Sequence, residues 1–221
     1  MKIMKLFSEE EVSKILQSLE KCKWSDGKNS ALGFAKEIKN NTQIFPDQKA
    51  FKPILDMVNL KLGGDAFKSN FFPKSVVGLR ANRYTEGDAY GWHVDMAHMT
   101  MKRTDMSFTI FLEDKKNYDG GELDLKYEGF TATVKGDPGE MVVYPTGVTH
   151  RVRPVTRGTR TCIIGWIESL IPSAEDRDLA VAAGKSNRAM RDSVTSGQPC
   201  SAEDADLSNQ AFYRLLRRLT P

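Results

Sequence analysis

The feature that most narrows the fold is a run of short, alternating apolar segments between Ser75 and Ser169. Val77, Leu79 and Ala81 alternate with Gly78, Arg80 and Asn82. Met106, Phe108, Ile110 and Leu112 form one face of a second segment. Side chains two apart on an extended chain share a side, so this alternation marks strands with one face buried. Further segments fall near 122–126, 130–134, 141–144, 149–153 and 160–168, and Asn117-Tyr-Asp-Gly-Gly121 is a strong turn signal between them. Many short strands with such punctuation predict a mainly β sandwich or barrel.

Helical segments flank this run. Ser8 with Glu11 three residues on reads as a capping box, and Val12, Ile15, Leu16 and Leu19 follow at helical spacing, so a helix is expected over about 8–21. The stretch from Trp24 to Gln43 is polar and suits loop or short strand. A second helix is expected over Gln48–Leu62, ending at Gly63-Gly64. Beyond Ser169 the pattern is helical again. Ser173 and Ser201 each precede an acidic first turn, and 193–201, with Gly197 and Pro199, reads as the linker between two helices. The expectation is a helical hairpin docked on the β part. Leu207, Ala211, Phe212, Leu215, Leu216 and Leu219 form a stripe that could serve a homodimer.

Composition excludes several classes. A chain of 221 residues with 40% apolar and 28% charged residues suits one soluble domain with a small appendage. A net charge of +3 is far from the dense basic patch of a nucleic-acid binder. Cys22, Cys162 and Cys200 are too sparse for a disulfide framework and suit a reducing compartment. No run reaches membrane-spanning length, and the N-terminal apolar stretch is too short for a signal peptide, so a cytoplasmic location is expected.

The chemistry gathers at three positions. His93-Val-Asp95 places an imidazole and a carboxylate two residues apart, on one side of an extended segment. His150 lies in a later strand-like stretch and can supply a third ligand from across the β fold. Two histidines and one carboxylate on one side of an ion leave open positions, the pattern of non-haem iron(II) oxygenases. His98, five residues from His93, fits neither strand nor helix spacing and reads as a surface or substrate-side residue. Arg160 follows His150 by ten residues, and Arg160, Cys162, Ile164 and Trp166 share a face by period two. An inward arginine among such neighbours calls for an anion, and a dicarboxylate cosubstrate would satisfy it bidentately.

Longer segments carry a family resemblance. They are Trp24-Ser-Asp-Gly-Lys28 with Gly33 and Lys39-Asn-Asn-Thr-Gln43, Arg83-Tyr-Thr-Glu-Gly87 with Trp92-His-Val-Asp95, and Arg103 through Leu112. Tyr118-Asp-Gly-Gly-Glu-Leu123, Val143-Tyr-Pro145, Pro154 through Arg160 and Trp166-Ile-Glu-Ser169 continue it. Over roughly Trp24 to Ser169 the chain resembles the PKHD-type hydroxylases, relatives of the prolyl 4-hydroxylase catalytic domain.

The resemblance implies a double-stranded β-helix, the jelly-roll barrel of the cupin-like proteins. The oxygenase domain would span 1–170 with its N-terminal helices, and 171–221 would be a helical extension packed on the barrel. The resemblance implies Fe(2+) on His93, Asp95 and His150. It implies 2-oxoglutarate, with its far carboxylate on Arg160 and Tyr84, consumption of O2, and ascorbate as a further candidate cofactor. It favours hydroxylation of a prolyl residue in a peptide or protein, with release of succinate and CO2, while a small-molecule substrate stays open. Thr109 and Glu122 are candidates for orienting the ligands. Segments 86–90, 96–103 and 115–119 are expected to border the entrance. Glu168, where glutamine is expected, and the tail beyond about Arg177 depart from the family pattern and bear on substrate choice. A nucleic-acid demethylase is the first rival. It is disfavoured because Trp166 stands where a second arginine would follow Arg160. A non-catalytic cupin-like metal-binding or sensor protein would need the triad but not Arg160.

Overall fold

The structure is a computed structural model that describes residues 1–197 and 200–220. The first part of the chain gives β1 (Lys2–Lys5), α1 (Glu9–Leu19), β2 (Ser25–Asp26), β3 (Lys39–Asn40), β4 (Thr42–Ile44), α2 (Lys52–Leu62) and α3 (Asp65–Phe71). Then come β5 (Pro73–Tyr84), β6 (Ala89–His93), β7 (His98–Met99), β8 (Lys102–Arg103), β9 (Met106–Phe111), β10 (Asp119–Gly120) and β11 (Leu123–Tyr127). The rest is β12 (Phe130–Val134), β13 (Glu140–Pro145), β14 (Thr149–Val152), β15 (Val155–Arg157), β16 (Arg160–Ser169), α4 (Ala174–Thr195) and α5 (Ala202–Leu219). By its internal contacts the chain divides into Met1–Lys61 with Val76–Ile167, and Leu62–Ser75 with Glu168–Pro221.

The first unit holds two large sheets and two short two-stranded ones, β10-β15 and β7-β8. One large sheet runs β1-β13-β9-β16-β5-β4-β2 and the other β12-β11-β14-β6-β3. The expected strands are all present. β5 buries Val77, Leu79 and Ala81 as their alternation requires. β9 departs from simple alternation, because all six of its residues are buried. It lies between β13 and β16, so neither edge nor either face meets water. Its other face carries Ser107 and Thr109, polar residues that the fold buries for a reason apparent at the site below. Phe111, Leu125, Val134, Val142 and Tyr144 pack together from strands of both sheets and close one end of the space between them.

The capping box at Ser8 is complete: its hydroxyl accepts from the Glu11 amide, and Glu11 accepts from the Ser8 amide. α2 starts at Lys52 rather than 48, because Lys49–Phe51 wind into a tighter 3-10 turn first. It ends before Gly63-Gly64 as expected. The same glycines hide α3 from sequence reading. Gly64 opens a two-turn helix that buries Phe67 and Phe71 and ends on Phe72 at φ 46°. In the second unit, α4 and α5 start on Ser173 and Ser201 as expected, and Gly184 of α4 lets the Phe212 ring of α5 approach closely. The expected 193–201 linker is shortened, since α4 continues through Thr195, and Pro199 lies outside the described residues. Glu168, the departure from the family pattern, accepts from Ser75 at 3.0 Å and faces Lys74 at 3.7 Å.

Candidate active site

Sheet register brings the two histidines together. β14 lies between β11 and β6, and within that pairing His150 stands directly opposite His93. Their ring centroids are 4.2 Å apart. Asp95 follows His93 just past the end of β6, so the H-x-D pair does turn both groups to one side. The Asp95 carboxylate lies 3.5 Å from His93 Nε2 and 3.7 Å from His150 Nε2. One ligand atom from each of the three falls within 4.8 Å of the others, a set that could hold a metal ion. Among the described residues it is the one group of this kind.

The protonation pattern suits that use. His93 Nδ1 lies 2.8 Å from the Gly91 carbonyl, and His150 Nδ1 lies 2.9 Å from the Val148 carbonyl. A carbonyl only accepts, so each Nδ1 donates there, which leaves each Nε2 as the nitrogen turned toward Asp95. Burial also pushes the His150 imidazole below its ordinary pKa, which keeps it neutral. Burial alone would raise the Asp95 carboxyl; donation from His93 and attraction by His150 and His93, which act when those rings are protonated, together with the Trp166 indole, outweigh it and hold the group well below the carboxylate range. Asp95 Oδ2 accepts from Ser107 Oγ at 2.8 Å and from Trp166 Nε1 at 2.9 Å. Tyr90 stacks on His93 at 3.6 Å and Tyr144 meets His150 edge-on at 5.2 Å, so both imidazoles are held in place. This donor set, two imidazoles and one carboxylate with oriented outer partners, matches what divalent iron requires.

The triad lies in a cavity between the sheets, and Arg160 and Tyr84 line the same cavity. Arg160 is 2% exposed. Its Nη1 donates to Cys162 Sγ at 3.1 Å, and its Nε has no partner. Its guanidinium lies 5.2 Å from the Tyr84 ring and 5.6 Å from that of Phe111. Among the described residues no carboxylate pairs with it. A buried, unpaired guanidinium is costly, and an anion entering the cavity would offset that cost. Gly121 makes room for it: at φ +66° it is already in a glycine-favouring conformation, and a Cβ there would sit 2.9 Å from Arg160 Cδ.

Of the secondary candidates, Thr109 lines the cavity and Glu122 is not among its lining residues. Tyr90, Met96 and Met99 bring the first two expected entrance segments to the cavity; residues 115–119 contribute no lining. His98 is exposed, pairs with Arg103 across β7 and β8, and stays outside the triad. Sequence reasoning missed Ser107 as an Asp95 donor, the ring contacts of Tyr90 and Tyr144, and the cavity cations Lys39 and Arg80. Ser107 did leave a signal, as a polar residue inside an otherwise apolar strand. Trp166 was placed on the Arg160 face, and its bond to Asp95 gives that placement a purpose.

Comparison with known proteins agrees with this geometry. Residues 79–168 match the model of the 2OG-Fe(II) oxygenase superfamily. A PKHD-type hydroxylase of Prochlorococcus marinus (strain MIT 9211) is 36% identical over 221 residues, covering 98% of this chain and 97% of that protein. Another from Pseudoalteromonas atlantica is 36% identical over 192 residues, covering 84% and 85%. Among solved structures, a Pseudomonas putida prolyl-4-hydroxylase aligns with TM-score 0.54 at 19% identity, covering 76% of this chain and 91% of that one. A Trichoplax adhaerens prolyl hydroxylase, solved with a hypoxia inducible factor peptide fragment, aligns with TM-score 0.56 at 13% identity, covering 76% and 83%. The fold shared with them is the jelly-roll of 2-oxoglutarate oxygenases, as the resemblance implied. The chain therefore belongs to the PKHD-type hydroxylases, 2-oxoglutarate-dependent iron dioxygenases of the 2OG-Fe(II) oxygenase superfamily.

Proposed function

We propose that His93, Asp95 and His150 hold the iron and that Arg160, with Tyr84 beside it, receives the far carboxylate of 2-oxoglutarate. The observation that carries this reading is the buried Arg160, unpaired, in the same cavity as the triad. Bound iron and 2-oxoglutarate supply the activation of O2, with succinate and CO2 as the expected co-products. The chain's own part is positional. The Nδ1–carbonyl bonds hold both rings with Nε2 toward Asp95, and one ligand atom from each of the three residues lies within 4.8 Å of the others. Ser107 and Trp166 fix the carboxylate. Arg160 offers a forked pair of donors that sets the cosubstrate's register. Leu123, Val152 and Ile164 give the cavity apolar walls that limit water around the reacting centre.

The proposed reaction is hydroxylation of an unactivated C–H bond, with a prolyl residue of a peptide or protein as the substrate. The support is by kinship: the solved structures of like fold include prolyl hydroxylases, one of them holding a peptide. Among the described residues no helix is long and apolar enough to cross a membrane. The three cysteines are free, which supports a reducing compartment such as the cytoplasm. The test is a panel of capped peptides, each with one proline, incubated with iron(II), 2-oxoglutarate and ascorbate as added reductant. The expected result is a mass gain of one oxygen on proline, matched by succinate. Succinate formed with oxygen incorporated only at other residues, or in none, would remove the prolyl assignment.

A further inference from the structure

Two cations line the cavity that the oxygenase chemistry does not use. Lys39, on the short edge strand β3, is 5% exposed. Its Nζ donates to Ser30 Oγ at 2.7 Å, which in turn donates to Gln43 at 2.7 Å, and Gln43 donates to Asn82 at 2.6 Å. That chain fixes the ammonium at the cavity wall and uses one of its three protons. Arg80, on β5, donates from Nε to the Gly78 carbonyl at 3.0 Å, and among the described residues its other guanidinium protons meet no acceptor. Neither residue forms an ion pair with any described carboxylate. Burying the Lys39 charge without a counter-charge is expensive, and the half-buried Arg80 in the same cavity adds repulsion.

Both cations sit one aromatic ring away from the metal-binding set. Lys39 Nζ lies 5.0 Å from the centroid of Tyr90, the ring stacked on His93. The Arg80 guanidinium lies 5.1 Å from the Trp166 ring, whose indole holds Asp95. The charges of the proposed reaction leave these two over. Summed over the cavity, divalent iron and Arg160 would balance dianionic 2-oxoglutarate and Asp95, the carboxylate that also acts at a distance on Lys39 and Arg80. Lys39 and Arg80 remain as surplus positive charge facing the substrate space. Burial and the neighbouring Arg80 push the Lys39 ammonium down to about 8, so it is still largely charged at neutral pH and gains from an arriving anion.

We infer that Lys39 and Arg80 form an anion subsite, and that the true substrate presents a carboxylate there while its reacting C–H bond faces the triad. The inference rests on the oxygenase reading above and narrows its substrate class. The carboxylate can belong to a small acid or to a side chain of a peptide, and the probes separate the two sources.

The experiment is anaerobic calorimetry on the full chain loaded with iron(II) and 2-oxoglutarate. One probe pair is N-acetylproline against its amide. The other is a capped peptide with glutamate beside proline against the same peptide with glutamine. At least one acid is expected to bind about ten-fold tighter than its neutral partner, as loss of a charge-assisted hydrogen bond implies. Preference in the first pair alone indicates a small acid; preference in the second indicates a peptide side chain. Lys39→Gln, which keeps a donor toward Ser30, and Arg80→Gln are each expected to cut the acid preference several-fold or more. No acid preference in either pair, including no binding at all, overturns the subsite. So does a preference that survives in both folded variants. Binding of 2-oxoglutarate, measured on the same wild-type sample, separates the two readings. Its absence counts against the Arg160 site, and its presence without acid preference counts against the Lys39–Arg80 subsite alone.

Discussion

Asp95 shows how residues far apart in sequence set the properties of one ligand. A single oxygen accepts from Ser107 on β9 and Trp166 on β16. Trp166→Phe keeps the ring and removes one donor, freeing the carboxylate to turn. Metal affinity is expected to fall by about 10–100-fold, the usual cost of losing an outer partner. A competitive anaerobic titration with iron(II) would measure it, and an unchanged affinity would mean that Ser107 alone suffices. Arg160 is proposed to act on the cosubstrate instead. Arg160→Ala is expected to raise the half-saturating 2-oxoglutarate concentration by about ten-fold or more, and Arg160→Lys to recover part of it, since lysine supplies charge without the fork. Steady-state titration with 2-oxoglutarate checks both; equal requirements in wild type and Arg160→Ala would remove Arg160 from the site. His93, Asp95, His150 and Arg160 were legible because their spacing reports a shared side of a strand or an inward charge. Lys39, Arg80 and Ser107 were not, because each reaches the cavity through a strand pairing that no local pattern announces.

Among the elements, strand and helix identity followed from local pattern wherever an element had a buried face and a cap. Ser8→Ala should cost about 1 kcal/mol, the usual worth of an N-cap, read from the denaturant midpoint. No loss would mean that packing of Val12, Ile15 and Leu19 alone sets α1. α3 escaped because two turns carry too little periodicity and the preceding glycines read as an ending. The β11–β14 pair is tied by Asp124, whose side chain is fully buried and accepts from Arg151 and Arg153, each at 2.8 Å. Burial would raise this carboxyl, but the two guanidinium groups and Thr133 hold it below the ordinary range. A depressed native pKa adds stability that is fully present above the ordinary carboxyl value of about 3.9 and is lost as pH falls through the native one. Asp124→Asn should therefore destabilise the protein by about 1–3 kcal/mol at neutral pH, with the gap to wild type closing on acidification. Urea unfolding at several pH values measures this, and a constant gap would mean that shape rather than charge is at work.

For the whole molecule, two sheets gather side chains from Lys39 to Trp166 around one cavity. The class of fold was legible from the count and punctuation of strands. The order β1-β13-β9-β16-β5 was not, since pairing partners lie up to more than a hundred residues apart and are chosen by global burial. If iron(II) and 2-oxoglutarate bind the folded cavity as proposed, together they should raise the thermal midpoint. Saturation at 100 times the dissociation constant is worth about 2.7 kcal/mol. The shift should vanish in His150→Ala, and an equal shift there would point to binding elsewhere. The central claim is that the triad holds the metal of an oxygenase. The most direct measurement is succinate release from 2-oxoglutarate by wild type, His93→Ala and His150→Ala, with folding of each checked by circular dichroism. The account expects turnover in wild type and none in either folded variant. Wild-type turnover by folded His93→Ala or His150→Ala would contradict it.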